Sequence, residues 1–376
     1  MRSFVFRWRS KPAMLSSGRK AVQHPSIEGA WRIVPIRGVK MRALFLCLPM
    51  LALLRAPDVT AQELPTLGAD RAKLSVSGLS SGGFMAVQYA VALSSEVMGV
   101  GVVAGGLYNC GAAFPISVIS SCMQRAWTAP ASWSAVTTFS RAGSIDPAEN
   151  IARQRVYLFS GSEDAVVAPA VVRTLLNFYV MAGVPGQALR YRDDVPATHA
   201  FVSASVGGRC GKTSSSYVVR CFIAGKPYDQ PYEILNHIYG LKVRAAVRLS
   251  AAPMAFDQRP YGSAQALMAN TGYVFIPASC RKAGADCAVH VVFHGCMQSA
   301  DTLGSDIIYR RLGYNRWADR NGIILLYPQV NRTLPLPNPY GCWDWWGYSQ
   351  WFGFQLRHAP QIDTVRRMVT RLQQAS

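Results

Sequence analysis

Gly78-Leu79-Ser80-Ser81-Gly82-Gly83 is the stretch on which the reading of this chain turns. A short alternating run, Lys73-Leu74-Ser75-Val76-Ser77, precedes it, and a helix-like run from Phe84 to Leu93 follows. Strand, tight glycine-flanked turn and helix is the setting in which G-x-S-x-G becomes a nucleophile elbow. Such a turn is so sharp that the residues around the serine must be small, which accounts for Gly78, Gly82 and Gly83. It lifts Ser80 Oγ clear of the sheet and sets the Ser81 backbone N–H beside it. The bland alternative is a Gly/Ser loop between a strand and a helix, so the motif needs partners elsewhere in the chain.

The flanking sequence supplies a framework. Val97 to Gly106 reads as a buried parallel strand, because its apolar residues are continuous rather than alternating. Leu107 to Trp133 reads as a loop region and Pro147 to Arg153 as a short helix. Arg155 to Phe159 is a further buried strand running into Gly161-Ser162-Glu163-Asp164. Pro169 to Met181 is a helix, with proline in its first turn and Gly183 after its end. Leu189 to Arg192 is a strand, Asp193 to His199 a loop, and 203–221 an excursion. The second half repeats the pattern: strands at Gly272 to Ile276, Val289 to Phe293 and Gly322 to Tyr327, a helix over Ile307 to Asn321, and an amphipathic helix over Gln361 to Gln373. Alternating strands and helices predict an α/β fold with a mostly parallel sheet.

A serine nucleophile needs a base and a group that orients the base. On α/β-hydrolases the chain order is Ser, then Asp or Glu, then His. Asp164 follows a strand and His199 follows the next strand-helix-strand unit, so Ser80, Asp164 and His199 stand in that order. The null for Asp164 is a turn or cap residue, and for His199 a surface loop residue. Asp146 is an alternative acid, but no strong strand precedes it. His237, His290, His294 and His358 are worse placed as bases, and His24 lies in the segment expected to be removed. The oxyanion needs two N–H donors. Ser81 supplies one; the other normally follows a strand ending in His-Gly, here His294-Gly295-Cys296, which puts the Cys296 N–H in that role. That strand ordinarily precedes the elbow, whereas here it lies far downstream. A circular permutation, with the chain opened just before the nucleophile strand, accounts for the order.

Taken together, Ser-Gly-Leu-Ser-Ser-Gly-Gly-Phe-Met-Ala (77–86), Gly-Ser-Glu-Asp (161–164), Thr-His-Ala-Phe (198–201), Phe-His-Gly-Cys-Met-Gln (293–298) and Tyr-Gly-Cys-Trp-Asp-Trp-Trp-Gly-Tyr (340–348) resemble the single-domain polyhydroxybutyrate depolymerases, specifically the circularly permuted α/β-hydrolase type. The likeness covers most of residues 70–375. It implies a serine esterase acting on poly(3-hydroxybutyrate) and its oligomers without a cofactor, Ser80 as nucleophile, Asp164 and His199 as its partners, and backbone donors at Ser81 and Cys296. It also implies an aromatic crevice for the polyester, with Trp343, Trp345, Trp346 and Tyr348 as the matching residues. Tyr348 stands where relatives carry Trp. A crevice of exposed rings suits an uncharged, methyl-bearing chain, at about 25 cal/mol per Å² buried; the null is an ordinary core cluster. The alternatives are an esterase for another bulky ester, of feruloyl or acetyl-xylan type, and a surface-binding protein with an inert triad.

The ends and the composition bound the rest. The chain has 376 residues, half of them hydrophobic, enough for a sizeable core. Residues 1–40 are basic and without apolar period. Met41-Arg42, an apolar run from Ala43 to Leu54, and Val59-Thr60-Ala61 match the three parts of an export signal, and the run is too short to span a bilayer stably. We therefore expect an upstream extension plus signal at 1–61, the signal at about 41–61, and one catalytic domain at 62–376, secreted or periplasmic and monomeric. Eleven of the 39 basic and two of the 20 acidic residues fall in 1–61, so a net +10 of the +19 remains afterwards. The positives are scattered and form no stripe interleaved with aromatics, which argues against nucleic acid. Cys47 lies in the signal. The other eight cysteines, an even number in an exported chain, predict disulfides Cys110–Cys122, Cys210–Cys221, Cys280–Cys287 and Cys296–Cys342. No spacing suits a metal ligand set.

Overall fold

The continuous apolar runs become the inner strands of an eight-stranded sheet. In chain order these are β1 (Leu74–Leu79), β2 (Val97–Val103), β3 (Arg155–Phe159), β4 (Leu189–Arg192), β5 (Met254–Asp257), β6 (Thr271–Phe275), β7 (Ala288–Phe293) and β8 (Ile323–Tyr327). The computed structural model describes residues 62–114, 117–125 and 127–375, all within one compact unit. The expected extension and signal at 1–61 lie outside the described residues.

Side by side the strands run β5-β6-β8-β7-β1-β2-β3-β4. From β8 to β4 every pairing is parallel; β6 is antiparallel to both β5 and β8. Strands β1 and β7, fully buried along their length, are direct neighbours with Gly78 opposite Phe293. The strand that ends in His-Gly thus lies beside the nucleophile strand although the chain reaches it last but one. This is the permuted hydrolase order expected from the sequence. The ends of the described chain meet: Gly68 N–H donates to the Gln374 carbonyl at 2.7 Å and Ala69 N–H to that of Leu372 at 3.1 Å.

Helices cover both faces. Helix α1 (Ser81–Ala92) packs Tyr89 against Phe293. Helices α2 (Ala129–Arg141), α3 (Pro169–Met181), α4 (Gln230–Tyr239), α5 (Tyr314–Arg320) and α6 (Pro360–Gln373) complete the layers. Ser75 and Ser77 point to the opposite side of β1, where Ser75 meets Tyr239 of α4 at 2.6 Å and Ser77 meets Tyr314 of α5 at 2.9 Å.

Three expectations change. The loop expected over Leu107 to Trp133 contains a short helix at Cys110–Ala113, a wide turn at Ile119–Gln124 and the start of α2. Thr128 caps α2 by accepting the Ala131 N–H. The helix expected over Ile307 to Asn321 is interrupted at Gly313, whose φ of 128° no ordinary side chain adopts readily. The excursion at 203–221 carries strands Gly208–Arg209 and Val218–Arg220, which join Phe201–Val202 in a small separate sheet. Four disulfides are present, Cys110–Cys122, Cys210–Cys221, Cys280–Cys287 and Cys296–Cys342. Among the described residues no helix is long and apolar enough to cross a membrane.

Candidate active site

The elbow is held under strain by its neighbours. Ser80 has φ 57° and ψ −122°, a region costing on the order of 1–3 kcal/mol for a residue with a side chain. Its N–H donates to the Val103 carbonyl and its carbonyl accepts the Phe84 N–H, both at 2.9 Å. These bonds tie the turn to β2 on one side and to α1 on the other. A Cβ on Gly78 would lie 2.2 Å from the Gly82 carbonyl oxygen, and one on Gly82 would lie 2.4 Å from the carbonyl oxygens of Phe293 and His294. Glycine at 82 therefore does more than permit a turn. It lets the elbow press against the end of β7 and the start of the segment 294–298, the donor segment expected from the sequence.

Asp164 and His199 come together from the ends of β3 and β4. His199 Nδ1 lies 2.9 Å from Asp164 Oδ2. The other carboxylate oxygen accepts the N–H groups of Val166 and Val167 at 2.8 and 2.9 Å. That leaves one oxygen for the imidazole and fixes the carboxylate plane. Ser80, Asp164 and His199 lie close together, each at least nine-tenths buried. Tyr217 meets the His199 ring edge-on at 6.2 Å. The alternative acid, Asp146, is ion-paired with Arg357 at 2.8 Å and accepts the Ser95 N–H; it serves the scaffold.

The second wall comes from residues 294–298 and the tryptophan segment. Ser81 N–H, in the first turn of α1, has no acceptor within its helix. Among the described residues no acceptor takes the Cys296 N–H. Ser80, Ser81 and Cys296 line one cavity of about 360 Å³, with Phe84, Ile119, Met123, Tyr340, Trp345 and Trp346 among its apolar walls. Cys296 is bonded to Cys342, and Met297 N–H donates to the Tyr340 carbonyl at 2.7 Å, so the segment 294–298 and the tryptophan segment are tied together. His294 is neutral: burial holds its imidazole down at about 4. Its Nε2 accepts the Val330 N–H at 3.1 Å and its Nδ1 meets the Gly295 carbonyl at 2.7 Å.

The four aromatics singled out in the sequence separate into two pairs. Trp345 stacks on Phe84 at 4.2 Å, and with Trp346 it lines the cavity. Trp343 and Tyr348 do not. Trp343 is fully buried, edge-on to Phe293 at 4.8 Å, and so forms the floor beneath the donor segment. The Tyr348 hydroxyl donates to the Cys342 carbonyl and accepts from Gln361, both at 2.7 Å. The expectation that Trp343 contacts substrate is corrected, since it is fully buried, while Tyr348 is half-buried and lies outside the lining of this cavity. Asp344 organises the segment. Its carboxylate accepts the N–H groups of Trp346, Gly347, Tyr348 and Ser349 and the Ser349 hydroxyl, while burial pushes its pKa above the usual carboxylate value. Phe84, Ile119, Met123 and Tyr340 were not singled out as lining residues. Phe84 and Met123 read as core, and nothing in the local pattern of Ile119 or Tyr340 marks a cavity. Among the described residues no group of His, Cys, Asp and Glu could hold a metal ion.

No protein-family model matches the chain. It is 36% identical over 318 residues to a poly(3-hydroxybutyrate) depolymerase of Delftia acidovorans, covering 83% of this chain and 62% of that protein. The chain thus spans somewhat less than two thirds of that relative. It is 35% identical over 334 residues to a polyhydroxybutyrate depolymerase of Talaromyces funiculosus, covering 84% of this chain and 92% of that one. The crystal structure of a PHB depolymerase from Penicillium funiculosum superposes with a TM-score of 0.76 at 30% identity, covering 83% of this chain and 98% of that chain. A PHB depolymerase with a serine-to-alanine substitution, complexed with an R3HB trimer, superposes with a TM-score of 0.75 at 31% identity and the same coverage.

Proposed function

Since this chain belongs to the polyhydroxybutyrate depolymerase family, we propose that it is an exported serine esterase, secreted or periplasmic, that hydrolyses poly(3-hydroxybutyrate) and its oligomers. The observation that carries the reading is the His199–Asp164 pair at 2.9 Å beside a strained serine in an apolar cavity that also holds Ser81 and Cys296. Ser80 Oγ attacks the ester carbonyl while His199 takes its proton. Asp164, unable to turn away from the imidazole, holds its orientation and stabilises the imidazolium. The tetrahedral oxyanion lies against the Ser81 and Cys296 N–H groups. The alcohol end of the chain leaves with the proton from His199. Water, deprotonated by the same histidine, then cleaves the hydroxyacyl-enzyme and releases the acid. Trp345, Trp346 and Phe84 give the neutral, methyl-bearing chain an apolar bed.

Ser80→Ala leaves the denaturation midpoint close to that of the parent, because the residue is small and the strain is local. It lowers hydrolysis of amorphous polymer granules by at least about 10³-fold, in line with loss of a nucleophile. Turbidity clearing and product chromatography read the outcome. Retained clearing refutes Ser80 as nucleophile. Faster turnover of feruloyl or acetyl-xylan esters than of 3-hydroxybutyrate oligomers refutes the substrate assignment.

A further inference from the structure

A second cavity, of about 440 Å³, shares Trp346 with the catalytic one. Its other walls include Ala112, Ala113, Phe139, Phe352 and Leu356, with the amides of Asn109 and Gln355 between them. The two cavities are built from the same parts. The hairpin closed by Cys110–Cys122 gives Ala112 and Ala113 to the second and Ile119 to the first, and Trp346 borders both.

Among the described residues the lining of the second cavity contains no Lys, Arg, Asp, Glu or His. An ionic ligand would find no counter-charge there, and burying one unpaired is costly. What the cavity does offer is apolar surface and the side-chain amides of Asn109, Gln350 and Gln355. Gln355 Nε2 donates to Asn109 Oδ1 at 2.6 Å. Among the described residues no acceptor takes the Asn109 NH₂, whereas Gln355 Oε1, also without a partner, is sealed away from the cavity. A hydroxyacid polyester matches it, because its methyl groups suit the walls and its ester carbonyls accept from the Asn109 NH₂. The volume falls in the roughly 300–1,000 Å³ range of small-molecule sites.

We infer that this cavity is an extended subsite that holds polyester units remote from the scissile ester, the chain leaving the catalytic cavity past Trp346. The inference rests on the depolymerase reading and adds a consequence to it: the enzyme gains from chain length. Shorter substrates fill the catalytic cavity alone, whereas longer ones also bury apolar surface in the second.

The test measures kcat/KM for 3-hydroxybutyrate oligomers of increasing length, with a p-nitrophenyl short-chain ester as reference. Ala113→Trp fills the cavity from an exposed position, where a large side chain does not disturb the core. Asn109→Gly removes the amide while keeping a left-handed backbone, since Asn109 sits at φ 66°. In the parent protein kcat/KM rises with length. In Ala113→Trp the longest oligomers lose on the order of tenfold, the scale of one well-buried apolar contact, while the p-nitrophenyl ester and the shortest oligomer keep their parental rates. Asn109→Gly shows the same pattern to a smaller extent. Parental length profiles in both variants overturn the subsite. A uniform fall on all substrates in both variants also overturns it, since it assigns these residues to the scaffold. Hydrolysis of p-nitrophenyl ester with none of any 3-hydroxybutyrate oligomer overturns the depolymerase reading itself, and is distinct from either.

Discussion

Gln298 connects the two sides of the catalytic cavity with one side chain. Its Oε1 accepts the Gly295 N–H at 2.7 Å, and its amide donates to the carbonyls of Ser216 and Tyr217 at 2.8 and 3.2 Å. The first bond holds Gly295, the residue just before Cys296; of the others, one reaches Tyr217, whose ring abuts His199. Removing the amide frees the donor segment without touching substrate. Gln298→Met, similar in volume, should therefore lower kcat by about tenfold to a hundredfold, at or below the cost of deleting an oxyanion donor outright, with KM little changed. Affinity for a phosphonate transition-state analogue should fall in parallel with kcat. A change confined to KM would place Gln298 in ground-state binding. Residues of this kind are hard to read in a sequence. Ser80, Asp164 and His199, the proposed triad, could be picked out from their order along an α/β chain, and the structure brings them close together, whereas Gln298 and Asp344 act through backbone groups that no spacing rule marks. Trp343 was misassigned for a related reason: an aromatic run signals burial and contact equally, and only the packing on Phe293 decides between them.

At the scale of elements, β7 carries a liability that sets a pH limit. His290 is fully buried between Ser75 and Ser77, at 2.6 and 2.8 Å, and burial holds its imidazole down at about 3. His294, just beyond the strand, is held down at about 4, also by burial. Both are neutral in the fold, whereas the same groups in an unfolded chain protonate near 6.5. Between about pH 6.5 and pH 4 the unfolded state binds more protons, so stability falls as pH is lowered through that window. At 1.4 kcal/mol per unit, each histidine costs roughly 2 kcal/mol at pH 5 relative to neutrality. Denaturant titrations at pH 7, 6 and 5 should show that decline, and His290→Gln should remove about half of it. A stability independent of pH over this range would contradict the buried, neutral assignment. Strands β2, β3, β7 and β8 were readable because parallel strands covered on both faces are continuous apolar runs, and β1, an alternating run, through the glycine-flanked turn that follows it. Edge strand β5 was not: Met254-Ala255-Phe256-Asp257 is four residues long, half-exposed and without a β-branched side chain. Helix α4 was not read from the sequence: Asp229 caps the Tyr232 N–H and Gly240 follows its end at φ 64°, but its polar length obscured the apolar face formed by Ile234 and Ile238.

For the whole molecule, the meeting of residues 67–69 with 372–374 means that the chain order is a choice of opening rather than a property of the packing. Joining the two ends with a short linker and opening the segment between α4 and β5, where Val247 is fully exposed, gives the order donor segment, nucleophile, acid, base. Domains with adjacent ends tolerate such rearrangement when the new ends lie in exposed loops. We expect the rearranged protein to fold and to retain p-nitrophenyl ester hydrolysis within about tenfold of the parent, since the sheet and its partners are unchanged. Failure to recover folded protein, with the linker lengthened as a control, would show that the covalent link between α4 and β5 is needed.

The pairing of β1 with β7 also governs how the chain reaches its fold. Ser77 and His290 touch across 213 residues, so the centre of the sheet cannot close until nearly the whole chain is present. Strands β1 to β4 can register with one another beforehand, but the inner edge of β1 stays uncovered meanwhile, an open template for pairing with other chains. Bringing distant segments together early is what slows folding in general. Rearranging the chain as above cuts the separation between β7 and β1 to less than half, and the rearranged protein should refold faster than the parent at equal stability.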